Sequence, residues 1–422
     1  MSLCASTSTN GCDKSPVAFK WDELTGLNFM KMSGKQRMQT AMHLQVPDRV
    51  PVMCQLALGH YFLYSGLDPL DIWYTSEGFA EALVRLQQRY QFDGILVNLP
   101  GRSGDYQKHI RKIEEQNGQK RIWWKNGNYT LFPPDDNPHY YQADGTRYFP
   151  TFQEIEPEKL YYIEPWDITE ITYPYTWGFE TEPRPESDFF PESHFDTLRW
   201  VKRKVGENVS VHSEIFSPWS QFLELLNYEP ALLAILDDPG KAKACLERLT
   251  LGAIDLGKRQ AACGVDAVLI SSAFSGAGFI SPRHYQEFVL PYERQVILEI
   301  QKAFAVPVYT HVCGAIGDRL ELILQTGTNG IDTLDPPPLG TVELDEAKRI
   351  LSGRAFIKGN IDPVNTLLNG THEAIRRDVR WRLEVGKAGG GYILSTACSV
   401  APKTSPDKLS LLVQLAEEFG KY

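Results

Sequence analysis

One histidine and two cysteines in this sequence have the types and spacing suited to binding a metal ion. His311 and Cys313 are separated by one residue in a short β-branched run, so on a strand both side chains would point to the same face. Cys398 ends a second such run near the carboxyl terminus. Imidazole nitrogen and thiolate sulfur are ligands that zinc prefers, and three protein ligands with a fourth position open are the catalytic form of a zinc site.

The same residues also allow a plainer interpretation. His-X-Cys spacing is common by chance, and buried free cysteines are usually inert core residues. The seven cysteines of the chain are odd in number and widely scattered, which is typical of reduced thiols in a reducing compartment. From spacing alone, a zinc centre and a set of inert thiols therefore both remain open.

The elements that must position these residues are short β-branched runs, most of which are followed by a helical pattern. Near-continuous apolar runs that alternate with helices are typical of parallel strands buried on both faces. Eight such units in series predict an α/β fold of the (β/α)8 TIM-barrel type, with an open doubly wound sheet as the alternative. The predicted strands are Arg49–Gln55, Gly94–Pro100, Asn208–Ile215, Ala267–Phe274, Pro307–Cys313, Gly330–Asp335, Ala355–Asp362 and Gly391–Cys398.

Catalytic groups in such barrels come from the carboxyl ends of several strands, and the ends predicted here are polar. We expect Glu214 to be a fourth metal ligand or a proton acceptor, unless it only bonds to neighbouring strand ends. Asp335 either orients His311 from behind or caps the following turn. Because the three candidate ligands lie on the fifth and eighth predicted strands, a shared site needs loops that lean across the mouth. The predicted substrate-binding side chains are Gln55, Asn98, His212, Ser272 and Asn360.

A long insertion of about 90 residues, at about 102–192, separates the second and third predicted strands. It is rich in aromatic residues and proline, and it contains turn signals at Asn126–Gly127 and Asp144–Gly145. These features predict hairpins that form either a lid over the barrel mouth or a decorative or oligomer-forming insertion. Four of its aromatic residues either line a pocket for an aromatic methyl ether or pack within the insertion: Trp123, Trp124, Tyr140 and Tyr141.

The composition of the chain excludes some classes of partner and indicates its domain organisation. The net charge is −10 without a basic cluster, which argues against nucleic acid, and no apolar run approaches the roughly 20 residues that span a bilayer. The first thirty residues lack the apolar core of a signal peptide. We therefore expect a cytoplasmic protein without nucleic-acid or membrane partners. It has a predicted tail at residues 1–30 and a single barrel domain at residues 31–422.

From about Val265 to Tyr422 the sequence resembles the uroporphyrinogen decarboxylase superfamily, whose fold is a (β/α)8 barrel. Resemblance in the N-terminal half is weaker and is limited to Pro47–Val52 and the strand around Asp93. The porphyrin decarboxylases of this superfamily carry arginines just after the first strand, which pair with substrate carboxylates. In this chain the corresponding stretch, Met53–Tyr61, contains no arginine. The matching stretches are Ile280–Glu293, His311–Gly314, Gly359–Pro363 and Ala397–Pro406.

The chain more closely resembles another branch, the zinc-dependent, corrinoid-linked methyltransferases of the methylcobalamin:coenzyme M type. His311, Cys313 and Cys398 match the H-x-C…C signature of that branch, although Ala397 replaces its usual glycine. The long aromatic insertion is also not typical of the coenzyme M enzymes. The resemblance implies Zn²⁺ held by these three residues and a small methyl donor or thiol acceptor as substrate.

The resemblance also implies a corrinoid. The chain lacks a D-x-H-x-x-G cobalamin-binding pattern, so the corrinoid is expected on a separate partner protein. Two alternatives stay open. One is a decarboxylase of an acidic substrate, for which Arg102 is the candidate arginine at the mouth, and the other is a non-catalytic binding barrel.

Overall fold

The computed structural model describes residues 31–422 except 103, 147–148, 165–170, 173–175 and 178–188. The predicted tail at residues 1–30 lies outside the described residues. The strands of the described residues are β1 (Gly94–Val97), β2 (Ile110–Gln116), β3 (Gln119–Trp124), β4 (Tyr129–Phe132), β5 (His139–Tyr141), β6 (Ile171–Thr172), β7 (Thr176–Trp177), β8 (Ser210–Phe216), β9 (Ala267–Ser271), β10 (Val308–Val312), β11 (Gly330–Thr333), β12 (Phe356–Ile361) and β13 (Tyr392–Thr396).

Seven of these strands form one parallel sheet in the order β1, β8, β9, β10, β11, β12, β13. The extended segment at residues 49–57 joins the two edges of this sheet. The Met53 N–H donates to the Leu394 carbonyl of β13 at 3.0 Å, and the Asp93 N–H beside β1 donates to the Val52 carbonyl at 2.8 Å. The hydrogen-bonded ring is therefore complete. The (β/α)8 barrel prediction is confirmed, and the open doubly wound sheet is wrong.

The inside of the barrel is filled by large apolar side chains at the amino-terminal ends of the strands. Tyr309 and Phe356 pack there at ring centroids 5.4 Å apart. Helix Gly34–Met42 closes this end, with Met38 fully buried in the same cluster. Ser33 caps the helix by accepting from the Gln36 N–H at 3.2 Å. With the lower end filled, the carboxyl ends of the strands are left as the open face of the barrel.

A buried ion network holds the extended segment at residues 49–57 against β1. Asp93 accepts from Arg37 Nη1 at 2.5 Å, from Arg49 Nη1 at 2.8 Å and from the Val52 N–H at 2.7 Å. Its carboxylate is almost fully buried, and two guanidinium groups balance its charge. The network therefore fixes the segment that closes the ring.

Helices cover the outer face of the ring and connect its strands. Among the described residues, no helix combines the length and the apolar character needed to cross a bilayer. The further α-helices are Leu58–Tyr64, Pro69–Tyr74, Ser76–Tyr90, Asp196–Val205, Pro218–Leu226, Tyr228–Asp237, Pro239–Ala262, Pro282–Phe288, Leu290–Ala303, Leu320–Gln325, Leu344–Leu351, His372–Gly386 and Pro406–Phe419. A π-helical turn spans Pro363–Leu368, and 3₁₀ turns span Tyr106–His109, Phe152–Glu154, Pro157–Lys159 and Glu192–Phe195.

The insertion contains the predicted hairpins. Strands β2 to β5 form an antiparallel sheet in sequential order, with turns at Asn117–Gly118 and Asn126–Gly127. The sheet packs on the helices that follow the first strand position, where Phe132 meets Phe62 at a centroid distance of 5.3 Å. Trp124 is fully buried and donates from Nε1 to Thr130 Oγ1 at 2.9 Å.

The other three aromatic residues that the sequence singles out also pack within the insertion. Tyr129 stacks on Tyr141 at 5.1 Å and contacts Trp123 at 4.9 Å. Tyr140 is buried, and its hydroxyl bonds to Asn128. Packing within the insertion is therefore the correct interpretation, and a pocket built from these residues is wrong.

Candidate metal centre

Strand β10 delivers two of the three predicted ligands to the open face. Alternation along the strand places Tyr309, His311 and Cys313 on the inward face, one above another. Tyr309 lies in the filled part of the barrel, and His311 lies above it. The His311 Nε2 atom is 3.2 Å from Cys313 Sγ.

The third predicted ligand reaches this pair from the opposite part of the ring. Cys398 follows β13, three strand positions from β10, and its Sγ atom lies 3.9 Å from Cys313 Sγ. The ligand atoms of all three residues lie within 4.8 Å of one another. The loop after β13 therefore leans across the mouth, as the strand count requires.

A buried carboxylate fixes the orientation of the His311 ring. Asp332 Oδ2 accepts from His311 Nδ1 at 2.9 Å, which leaves Nε2 directed at the sulfurs. Lys358 Nζ donates to the other carboxylate oxygen at 2.8 Å. Although burial opposes ionisation, Lys358 and His311 together lower the pKa of Asp332 to about 2. Asp332 is therefore a carboxylate, and its hydrogen bond to Nδ1 fixes the orientation of the imidazole ring.

The two thiols share their ionisation unequally. The hydrogen bond from Cys313, with a further one from His311, lowers the pKa of the Cys398 thiol despite its burial. The hydrogen bond to Cys398 and burial raise the pKa of Cys313. A lowered thiol pKa favours the thiolate, which is the form that binds metals and acts as a nucleophile.

The donor set fits zinc. One imidazole nitrogen and two sulfurs form a ligand set that binds zinc and other borderline-soft metals. Three protein ligands leave a fourth coordination position for substrate. A carboxylate on the far nitrogen of the histidine is the usual support of a zinc-binding imidazole. His311, Cys313 and Cys398 would hold the ion, and Asp332 would support it.

Glu214 lies on the inward face of β8, beside this trio. It receives a hydrogen bond from Ser271 and interacts electrostatically with His311, while its burial raises its pKa to about 7. Its carboxylate does not join the three ligand atoms within 4.8 Å. Glu214 is therefore not part of the three-residue ligand cluster, and both its predicted role as proton acceptor and a bond to the neighbouring strand end stay open.

Asp335 does not orient His311, so this part of the prediction is wrong. Its carboxylate accepts the Gly314 N–H at 2.5 Å, and burial raises its pKa to about 6. The reason lies in the strand register, which pairs His311 with Asp332 across β10 and β11. Asp335 lies beyond the end of β11 and supports the loop that follows Cys313.

Two predicted substrate-binding residues are buried away from the mouth. His212 lies one layer below it, with Nδ1 2.9 Å from the Tyr309 hydroxyl and Nε2 3.0 Å from Ser210 Oγ. Ser272 is fully buried and bonds to the carboxylate of Glu293. Because their polar atoms are already paired, neither residue is free to bind a substrate, and both predictions are wrong.

Asn360 is also misassigned. Its amide nitrogen donates to the Leu334 carbonyl at 2.9 Å, and its amide oxygen accepts from Arg382 of the outer helix His372–Gly386. The side chain is buried between the strand and that helix layer. Asn360 therefore holds the barrel wall together and does not face the mouth.

Gln55 and Asn98 are the two remaining predicted substrate-binding residues. Both line a cavity of about 240 Å³ whose wall also includes Ser399, the residue after Cys398. The buried Gln55 Oε1 atom has no hydrogen-bond partner among the described residues. Leu56 pairs with Val400 in a parallel bridge, which holds this wall against the loop that carries Cys398.

One carboxyl group near the site gave no signal in the sequence. Glu164 of the insertion is almost fully buried, and its burial raises its pKa to about 8, with Glu214 raising it further and Arg102 opposing the shift. Arg102 itself donates from Nε to the Trp73 carbonyl at 3.1 Å and lies over the Trp73 ring at 5.1 Å. The insertion therefore places a second carboxyl in the electrostatic field of Glu214.

The sequence profile of the uroporphyrinogen decarboxylase (URO-D) family matches residues 181–419, more than half of the chain. The chain belongs to the uroporphyrinogen decarboxylase family. A uroporphyrinogen decarboxylase from Saccharopolyspora erythraea is 32% identical over 194 residues, which are 45% of this chain and 52% of that protein. Another from Vesicomyosocius okutanii subsp. Calyptogena okutanii is 25% identical over 232 residues, which are 54% and 65%. The chain thus spans about half to two thirds of the length of these family relatives.

A solved structure shares the fold over almost the whole chain. The methyltransferase from Methanosarcina mazei superposes with a TM-score of 0.66 at 15% identity and covers 92% of this chain and 99% of its own. At that identity the likeness shows the fold alone. It agrees with the barrel that the uroporphyrinogen decarboxylase family profile implies.

Proposed function

We propose that this member of the uroporphyrinogen decarboxylase family is a zinc-dependent methyltransferase. It moves a methyl group between a small methyl donor or thiol and a corrinoid carried on a partner protein. The observation that carries the proposal is the convergence of His311, Cys313 and Cys398, whose ligand atoms lie within 4.8 Å at the barrel mouth. Cys398 comes from a different strand end than His311 and Cys313 and lies 85 residues after Cys313, so proximity along the sequence does not account for its place in the cluster.

The residues of the chain take distinct roles in this proposal. Zinc, when bound, supplies a Lewis acid that lowers the pKa of a thiol or polarises the oxygen or sulfur of a methyl donor. Asp332 keeps the His311 imidazole oriented toward the ligand cluster. Glu214 accepts or returns a proton near neutral pH, since its pKa is raised to about 7. Gln55 and Asn98 contact the substrate in the cavity beside Cys398.

Decarboxylation of an acidic substrate is the second candidate, because the relatives named above are uroporphyrinogen decarboxylases. That reaction needs cations at the mouth to bind carboxylates. The stretch Met53–Tyr61 supplies none, and Arg102 is engaged with Trp73. Among the described residues, the cavity beside Cys398 is lined by no charged side chain. These features favour methyl transfer.

The test is the metal content of the purified full chain, followed by methyl transfer to a reduced corrinoid. We expect about one zinc per chain, lost in Cys398→Ala and His311→Ala and retained in the control Cys263→Ala. Cys263 is a half-buried thiol outside the cluster. Transfer is followed by the absorption change of free cob(I)alamin on methylation, and it should disappear with the metal. Folded protein with reduced thiols and no bound zinc, or full transfer activity in Cys398→Ala, contradicts the proposal.

A further inference from the structure

The cavity beside Cys398 is distinguished by its lack of charge. Among the described residues, its wall combines apolar side chains with amide and hydroxyl groups only. The apolar part includes Leu58, Tyr61 and Phe79, which are all buried. Ligand sites of this kind bind an apolar body and use a few polar groups to orient it.

The polar part of the wall includes an acceptor that lacks a partner. Gln55 Oε1 is buried and receives no hydrogen bond from any described residue. A buried acceptor in this state costs free energy unless a donor reaches it. The backbone of Gln55 is fixed, because its carbonyl accepts the Val400 N–H at 2.8 Å. The main chain that carries the amide is therefore held beside the cavity, where a ligand N–H or O–H would satisfy Oε1.

The insertion completes the wall. Asn137, from the connection between β4 and β5, lines the same cavity as Gln55, Asn98 and Ser399. Lys403, which follows Cys398, forms an ion pair with Asp135 of this connection at 2.6 Å. The loop that carries the third metal ligand and the insertion are thus held together beside the cavity. Here the insertion acts as part of a binding site.

The volume indicates the size of the group that fits inside the cavity. A cavity of about 240 Å³ holds roughly eight water volumes, which suits a single substituted ring or a molecule of similar size. A tetrapyrrole is far larger. Among the described residues, no charged side chain lines this wall, so an anion held against it would lose hydration without gaining a paired cation from the wall.

We propose that this cavity binds the body of the methyl donor, and that this donor is a small uncharged molecule that gives a hydrogen bond to Gln55 Oε1. The identification of this ligand as a methyl donor rests on the proposed function, whereas the preference for a small uncharged ligand rests on the cavity alone. The methyl-bearing atom then lies toward Ser399 and Cys398, and the hydrogen-bonding group lies toward Gln55.

Three probes of similar size separate the features of this ligand class. The probe 2-methoxyphenol is neutral and carries a donor, 1,2-dimethoxybenzene lacks the donor, and 2-methoxybenzoate is an anion. Calorimetric titration of the full chain should show 2-methoxyphenol binding about tenfold more tightly than either of the others. In Gln55→Met the preference over 1,2-dimethoxybenzene should vanish. The control Gln153→Met, at an exposed position in another cavity, should bind like the wild type.

The outcomes separate this inference from the proposed function. A cavity that binds 2-methoxybenzoate as tightly as 2-methoxyphenol, or a preference that survives in Gln55→Met, overturns the inference even if zinc and methyl transfer are found. Binding that depends on Gln55 in a chain without zinc overturns the proposed function and supports the neutral-ligand site. Failure of all three probes to bind overturns the inference.

Discussion

Replacing Asp332 tests whether the barrel interior prepares the metal centre. Asp332 is almost fully buried between His311, at 2.9 Å, and Lys358, at 2.8 Å. Asp332→Asn keeps the shape but removes the carboxylate that orients the His311 ring. Loss of such a supporting partner typically lowers metal affinity 10- to 100-fold, or about 1.4–2.8 kcal/mol. We expect a loss of this size in the affinity for zinc.

A second effect must be separated from the first. Asp332→Asn also leaves the buried Lys358 ammonium without its counter-charge, and removal of one partner of a buried pair costs about 3–5 kcal/mol of stability. The double variant Asp332→Asn with Lys358→Met removes both charges and should recover most of that stability. If the carboxylate orients His311, the double variant should fold well and still bind zinc weakly.

The assay is competition for zinc with a chromophoric chelator, together with thermal unfolding of the metal-free proteins. The single variant should be impaired in both measurements and the double variant only in zinc affinity. A double variant that binds zinc as tightly as the wild type refutes the orienting role of Asp332. A single variant of wild-type stability refutes the buried Lys358 pairing.

Three further predictions concern stability. Burial raises the pKa of Glu293 to about 7 from its ordinary value of 4.5, so its contribution is fully present below about pH 4.5 and is lost as the pH rises through about 7. Glu293→Gln should therefore remove about 3 kcal/mol of pH dependence, and equal urea midpoint shifts between pH 5 and pH 8 in both proteins would contradict this. Asp93→Asn leaves Arg37 and Arg49 buried without their shared counter-charge. It should therefore lower the free energy of unfolding by about 3–5 kcal/mol. A loss below about 1 kcal/mol in chemical denaturation would count against a stabilising role of this ion network. Phe132→Ala should cost about 3 kcal/mol in the same assay by opening a gap against Phe62; a loss below about 1 kcal/mol would count against the contribution of this contact to stability.

The order of strands and the ring were predictable because each buried strand leaves an apolar run in the sequence. The segment at the first strand position, residues 49–57, is an exception, because it does not form a regular strand. Its residues form isolated bridges, with Val52 bridged to Leu394 of β13, yet their backbone bonds close the ring. The run Arg49–Gln55 predicts the segment. The sequence does not reveal that Arg37 and Arg49 clamp it to Asp93.

The candidate ligands were predictable from residue type, but their supporting groups were not. Asp332 and Asp335 are equally plausible partners of His311 in the sequence, and only the register between β10 and β11 selects Asp332. His212 shows the related limit, because alternation gives the face of a strand but not the depth. It points inward as expected and yet lies a layer below the mouth, bonded to Tyr309.

The family and the site carry different information about this chain. The uroporphyrinogen decarboxylase family accounts for the barrel, and a barrel of this kind supports many reactions through the residues at its mouth. Lys358, Asp332 and His311 form a continuous chain of buried charge from the barrel interior to the two thiols. Burying these charged groups carries a desolvation penalty, and apolar packing in their place would be at least as stable, so their presence indicates a functional role. That role is to orient one imidazole nitrogen of His311 toward the two sulfurs, and for this reason we place the chemistry at this end of the barrel.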